Sequence, residues 1–253
     1  MRSIPCYIAG LAHVISLVMV HHLQQIPFFY DLDASALTMI EQAAQTCLIE
    51  RHAFFFHQDD PATHFYLLLE GSVRLMQVTA TGEQVILRFV GPQDGIGIIA
   101  ALEQATYPLA AQAVHDCVAL VWDHATLRQL IERYPVLALR ALRLVAGHLV
   151  ELQTQYRELA TERVERRVAR ALVRLGQQVG RNVEGGILIN MPLSRQDVAE
   201  MTGTNLYSVS RIVSKWEKQG LLESRRERLL IREPQRLVVI AEDMPPEIPA
   251  PLR

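Results

Sequence analysis

The spacing of apolar positions changes twice along this chain. From about residue 47 to residue 122 they fall in short runs separated by Gly and Asp. "HFYLLLEGSVRLMQVT" holds two such runs, broken at Glu70-Gly71. "TGEQVILRFVGPQDGIG" opens on a Thr-Gly turn, continues as a β-branched and apolar run, and ends in Gly-Pro and Gly-x-Gly. "AQAVHDCVALVW" closes the set. Short strands punctuated this way predict a small barrel or roll. Ahead of them "DASALTMIEQAAQ" predicts a helix capped by Asp33 or Ser35.

After Pro135 the spacing becomes helical. Ala138, Leu142, Val145, Leu149, Leu152, Tyr156 and Leu159 recur at alternating steps of four and three. That is the a/d seam of about three heptads. A helix packed on its own domain would show such a stripe. Arg140, Arg143, Glu151, Arg157 and Glu158 flank the seam, and charged flanks favour a parallel dimer. "ERVERRVARALVRLGQQ" predicts a second helix, and "EGGILINMP" a turn and a strand. "LLESRRERLLIREP" predicts a hairpin with Arg225, Arg226 and Arg228 at its tip. Beyond Asp243, "MPPEIPAPLR" is a proline-rich tail of disordered composition.

Between these lies "LSRQDVAEMTGTNLYSVSRIVSKWEKQG", two short helical patterns joined at Gly203-Thr204. Ser194 is placed to cap the first helix, with Asp197 in its positive first turn. Val198 and Met201 are expected to face inward. Gly203 supplies the turn, and Thr204 or Asn205 caps the second helix. Val209, Ile212, Val213 and Trp216 then form its core face. Asn205, Tyr207, Ser208, Ser210 and Arg211 are left on its exposed N-terminal side. A Gly turn between two helices also fits an ordinary αα-hairpin. The reading as a helix-turn-helix places the first turns of the second helix against base edges in the major groove. Arg211 would donate to guanine and Ser210 would read several edges. Arg195 and Thr204 are placed for phosphates.

Charge supports that reading. The 253 residues carry a formal net charge of −2. Residues 157–236 carry 16 Lys and Arg against 10 Asp and Glu, a net of +6, so the remainder carries −8. An acidic module is joined to one suited to a polyanion. The three cysteines, Cys6, Cys47 and Cys117, are far apart and without a CxxC pair. They predict a reducing cytoplasm and give little support to a disulfide framework, zinc ribbon or cysteine-held cluster. Half the residues are hydrophobic, enough for one or two globular domains. The apolar start, "IPCYIAGLAHVISLVMV", is read as an N-terminal extension or a misassigned start ahead of Met19. A membrane span is the weaker reading, given Pro5 and His13.

The order of roll, seam helix and winged helix-turn-helix resembles the CRP/FNR superfamily of bacterial transcription regulators. The resemblance runs over about residues 25–236. It is carried by "FYLLLEGSVRL", "YPLAAQAV", "LSRQDVAEMTGTNLYSVSRIVSKWEKQGLL" and the hairpin that follows. It implies an α+β fold: an N-terminal cyclic-nucleotide-binding-like β-roll, a long dimerisation helix and a C-terminal winged helix-turn-helix. The expected boundaries are an extension at 1–24, the roll at 25–134, the dimerisation helix at 135–162, the DNA-binding domain at 163–236 and a tail at 237–253. The resemblance implies base reading by Leu206, Tyr207, Ser210 and Arg211. It implies phosphate contacts by Ser194, Arg195 and Thr204, and the hairpin residues Arg225 and Arg226 would grip a flanking phosphate. Most members carry Glu where Tyr207 stands, so the operator should differ. The Ser210-Arg211 pair matches the FNR-like branch.

The same resemblance bears on the effector. Cyclic-nucleotide-binding members hold the ribose with Gly-Glu and the phosphate with Arg-Ser. Here Gly97 is followed by Ile98, and Pro108-Leu109 stands where Arg-Ser would be. Burying a phosphate against such residues without a partner costs several kcal/mol, so cyclic AMP is not the expected effector. An iron–sulfur cluster is not expected either, since only Cys6 precedes Cys47. "YPLAAQAV" is similar to the branch that responds to nitric oxide, and an apolar pocket around Gly97, Ile98, Pro108 and Leu109 would suit haem. None of the nine histidines sits in a diagnostic motif, and no metal ligand is assigned. The expected partners are palindromic double-stranded DNA, a second copy of the chain and RNA polymerase. A constitutive regulator without ligand is the alternative. A metal-dependent barrel enzyme is disfavoured, because His52, His57 and His64 lack the regular spacing of cupin-type ligands.

Overall fold

Each strand of the N-terminal half pairs because its alternate side chains have somewhere apolar to go. The computed structural model describes residues 23–24, 26–101, 105–225 and 228–242. Helix α1 (Ala34–Gln42) is capped by Asp33, whose carboxylate accepts from the Ala36 amide at 2.8 Å. That hydrogen bond holds the Asp33 carboxyl below its ordinary range. Eight strands follow: β1 (Gln45–Ile49), β2 (Phe54–Phe56), β3 (His64–Glu70), β4 (Val73–Val78), β5 (Gln84–Val90), β6 (Gly95–Ile96), β7 (Ala110–Ala113) and β8 (Cys117–Asp123). They form two antiparallel sheets, ordered β1-β8-β3-β6 and β2-β7-β4-β5.

Strand β3 reads as one continuous apolar run because both its faces are covered. Tyr66 and Leu68 point into the roll with Val73, Leu75, Ala111, Ala119 and Val121. Phe65 and Leu67 point the other way, onto Leu37, Ile40, Leu120 and Trp122. The Trp122 indole donates to the Ile40 carbonyl at 3.0 Å, which ties β8 to α1. Leu23 is buried in this outer cluster with Ile26 and Phe28, so the roll's packing begins ahead of residue 25. Residues 1–22, with the apolar start, lie outside the described residues. Among the described residues no helix is long and apolar enough to cross a membrane.

Three helices come next: α2 (His124–Arg133), α3 (Val136–Thr161) and α4 (Val164–Val179). α2 was not foreseen. Its indicators are Asp123, which caps it through the Thr126 amide at 2.7 Å, and the helical spacing of Leu127 and Leu130. A third antiparallel sheet has the order β11-β12-β10-β9. Its strands are β9 (Gly180–Val183), β10 (Gly186–Ile189), β11 (Leu222–Arg225) and β12 (Arg228–Ile231). α5 (Arg195–Thr202) and α6 (Leu206–Lys218) lie between β10 and β11 in the chain. α7 (Pro234–Glu242) closes the described chain. Residues 237–242, expected in the tail, are the greater part of this helix. Leu237 and Ala241 are buried, so the apolar side of "RLVVIA" drives it onto the domain rather than into solvent.

The chain divides into two compact units, residues 1–152 and 153–253. The last turns of α3 therefore belong to the second unit, not the first.

Candidate DNA-reading site

The turn between α5 and α6 is built from the residues that the sequence nominated. Ser194 caps α5: its hydroxyl oxygen accepts from the Asp197 amide at 3.0 Å, and its own amide donates to the Asp197 carboxylate at 2.7 Å. Two donors that a helix start leaves unpaired are thus satisfied reciprocally. α5 ends at Gly203, with φ 58° and ψ 45°. That left-handed conformation is open to glycine at little cost. Asn205, rather than Thr204, then caps α6, accepting from the Ser208 amide at 2.9 Å.

On α6 the core face is as expected: Val209, Ile212, Val213 and Trp216 are all buried. On α5 the inward set is Val198, Ala199 and Thr202, while Met201 is only half-buried. Thr202 earns its buried place by donating its hydroxyl to the Val198 carbonyl at 2.7 Å.

Burial of that face leaves the other open. Leu206, Tyr207 and Arg211 are exposed and Ser210 is half-buried. Tyr207, Ser210 and Arg211 line one groove along the helix, together with Ser214, Lys215, Lys218 and Gln219. Sequence reading did not nominate Ser214, Lys215 or Lys218. Their spacing of three, four and seven from Arg211 puts them on the same side of a 3.6-residue helix. Lys215 is also 2.9 Å from Glu165 on α4. Arg195 is 3.3 Å from Glu217, an ion pair between α5 and α6. Thr204 sits at the turn, its amide donating to the Ala199 carbonyl at 3.1 Å. The wing forms as β11 and β12, with Arg225 opposite Arg228 in register. Arg226 lies outside the described residues.

In the roll, the four nominated pocket residues part company. Gly97 has φ +78°, and a Cβ there would lie 2.9 Å from the His64 carbonyl oxygen and 3.0 Å from the Tyr107 ring. From Gly97 the chain enters a 3-10 turn, Ile98–Ala101. Ile98 packs on the outer cluster, while Ile99 and Leu109 pack on the interior one. Pro108 is exposed. One residue of turn thus makes Ile99, not Ile98, the neighbour of Leu109's cluster. The interior is further filled by Phe56 and Tyr107, stacked 3.6 Å apart. The Tyr107 hydroxyl donates to the His64 carbonyl at 2.6 Å, and burial pushes its pKa up to about 12. Among the described residues no group of three or more His, Cys, Asp or Glu is arranged to hold a metal.

The seam residues occupy one side of α3. Leu142, Val145, Leu149, Leu152, Tyr156 and Leu159 are all exposed in the single chain, as are Leu139 and Val150 beside them.

Known proteins match this architecture along most of its length. Residues 47–134 match the cyclic nucleotide-binding domain, and residues 166–240 the Crp-like helix-turn-helix domain. The anaerobic regulatory protein of Bacillus subtilis is 26% identical over 223 residues, 86% of this chain and 94% of that protein. The cyclic AMP receptor protein of Thermus thermophilus is 26% identical over 215 residues, 85% of this chain and 96% of that one. The structure of FixK2 from Bradyrhizobium japonicum superposes with a TM-score of 0.68 at 26% identity, covering 78% of this chain and 96% of that one. With both domains present in the same order, and an exposed reading helix between its cap and its wing, this chain belongs to the CRP/FNR family and is a DNA-binding transcription regulator.

Proposed function

We propose that the chain acts as a homodimer that reads a palindromic duplex, under control of an effector other than cyclic AMP. The observation that carries the DNA-reading part is the split of α6 into a buried face and an open, hydroxyl- and cation-bearing groove. Arg211 donates two hydrogen bonds to a guanine edge. Tyr207 and Ser210 read neighbouring positions, and Leu206 packs on an apolar base edge such as the thymine methyl. Ser194, Arg195 and Thr204, with Arg225 and Arg226 of the wing, hold phosphates and fix register. Arg195 exchanges its carboxylate partner Glu217 for a phosphate as it does so.

The dimer reading is supported by the open apolar stripe on α3. A contiguous stripe of that size on a single chain marks an interaction site, and its heptad spacing suits a second copy of itself. A two-fold dimer places two reading helices one helical turn of DNA apart. RNA polymerase is the further partner expected of a regulator.

For the effector, the apolar packing of the roll argues against a cyclic nucleotide. A phosphate buried against the interior cluster beside Ile99 and Leu109 would lose its hydration, and neither side chain supplies a cation. A gas sensed through haem, a small apolar molecule, or no effector at all are the readings that remain, and the chain is not an enzyme. Selection from a random duplex pool tests the core of the proposal. The purified chain is expected to enrich an inverted repeat, and a pool that returns no sequence preference sinks it. An absorption spectrum recorded without oxygen, with and without haem and nitric oxide, tests the effector. A Soret band that shifts with the gas marks a haem sensor, and a featureless spectrum removes haem.

A further inference from the structure

The second compact unit carries its own piece of the long helix, and its contacts single out residues that join that piece to the reading turn. Arg167 lies on the first turn of α4. Its guanidinium donates through Nε to the Thr202 carbonyl at 3.0 Å, through Nη2 to the Gly203 carbonyl at 3.4 Å, and through Nη1 to the Glu162 carbonyl at 2.9 Å. Thr202 and Gly203 form the C-terminal end of α5 and the reading turn. Glu162 follows the last residue of α3. Helix C-termini leave carbonyls unpaired and carry partial negative charge. One planar cation satisfies the ends of two helices that converge on it. Lysine, a single point donor, has no fork to span them.

Two further contacts brace the same junction. A Cβ on Gly203 would lie 2.7 Å from a Leu159 methyl, so the reading turn sits directly on the final turn of α3. Glu158 is 2% exposed and accepts from Arg174 of α4 at 2.8 and 2.7 Å. Glu162 is 3.1 Å from Arg170. A buried ion pair adds little net stability, and its best-attested use is to fix register.

We infer that Arg167, with the Glu158–Arg174 pair, is a positioning residue for DNA reading: it locks the helix-turn-helix to the end of α3, and so sets the half-site spacing the protein accepts. The inference rests on the dimeric reading proposed above, because spacing has meaning only for two heads. On that reading the seam residues Tyr156 and Leu159 lie in the same compact unit as the reading turn. The distance between two copies of α6 would then depend on how firmly that unit holds the reading turn to the end of α3.

The test uses the full chain and three duplexes: the selected inverted repeat, the same repeat with one base pair inserted between its halves, and a single half-site. Wild-type protein is expected to prefer the native spacing by about tenfold, the scale of one mismatched base pair. Arg167→Gln is expected to shrink that preference to about twofold while half-site affinity stays within about twofold. Glu158→Gln should act the same way more weakly, and Arg167→Lys should restore little of the preference. Variants that keep the wild-type spacing preference overturn the inference. So does a loss of half-site and full-site binding in parallel with a lower thermal midpoint, which marks a purely structural role. If Arg167→Gln fails to fold, Glu158→Gln and Arg167→Lys carry the same two readouts. A wild-type chain indifferent to spacing overturns the dimeric reading, and this inference with it.

Discussion

Replacing Leu149 and Leu152 together by Asp strikes the middle of the α3 stripe. In the single chain these side chains are 56% and 45% exposed, so about half of each would be covered if the stripe is the dimer interface proposed above. Burying a whole leucine stabilises by about 1.5–3 kcal/mol, so half of one contributes roughly 1 kcal/mol. A two-fold interface contains each residue twice, and four half-buried leucines amount to about 3–6 kcal/mol. The dimer dissociation constant should therefore rise by roughly a hundred- to ten-thousand-fold. Four carboxylates forced together at the seam would raise it further. Sedimentation velocity across a concentration series reads the constant directly, and circular dichroism confirms that each unit stays folded. Full-site binding should fall while half-site binding persists. A variant that still sediments as a dimer at micromolar concentration refutes α3 as the interface, whatever its DNA binding does.

Arg211→Ala should cost about 1–3 kcal/mol on the selected site and relax specificity at one base pair, which competition with single-base variants will show; an unchanged preference removes Arg211 from the reading face. Asn205→Ala removes the α6 cap and should cost about 1 kcal/mol, seen as a melting midpoint about 4–8 °C lower for the DNA-reading unit. Burial holds His64 below its ordinary value of 6.5, opposed by Asp123. Burial and then Arg88 do the same for His148, opposed by Asp94. The unfolded chain thus binds protons more readily than the folded one. Stability should be full above about pH 6.5 and decline as pH falls through the lower folded values. Denaturant midpoints at three pH values test this, and His148→Gln should flatten the slope; equal slopes would show that His148 contributes nothing.

What the residues disclose in advance depends on how local their cause is. The caps Ser194 and Asn205, the left-handed Gly203 and the core stripe of α6 follow from contacts within a few positions, and reasoning over short windows reaches them. The exposed apolar stripe of α3 follows equally from spacing. Strand β9 and helix α7 were not reached, because each depends on a remote partner: β9 forms by pairing with β10, and α7 by burying Leu237 and Ala241. Ile98 was misplaced for a similar reason. Motif alignment assigns it a position, but the 3-10 turn after Gly97 decides its direction. The Arg167 fork was invisible for the opposite reason: an arginine in a basic helix reads as solvated charge until three carbonyls are found around it.

The open stripe on α3 has a consequence for how a cell would count this protein. If the reading species is a pair, then below the dissociation constant the amount of competent regulator grows with the square of the number of chains. Doubling the concentration of chains would raise it about fourfold, and halving that concentration would cut it as steeply. The stripe is also indiscriminate about the quality of its partner's reading head. A chain with an intact stripe and a crippled α6 would capture good copies into mute pairs, so defects in the DNA-reading unit would behave as dominant poisons, whereas defects in the stripe would be recessive.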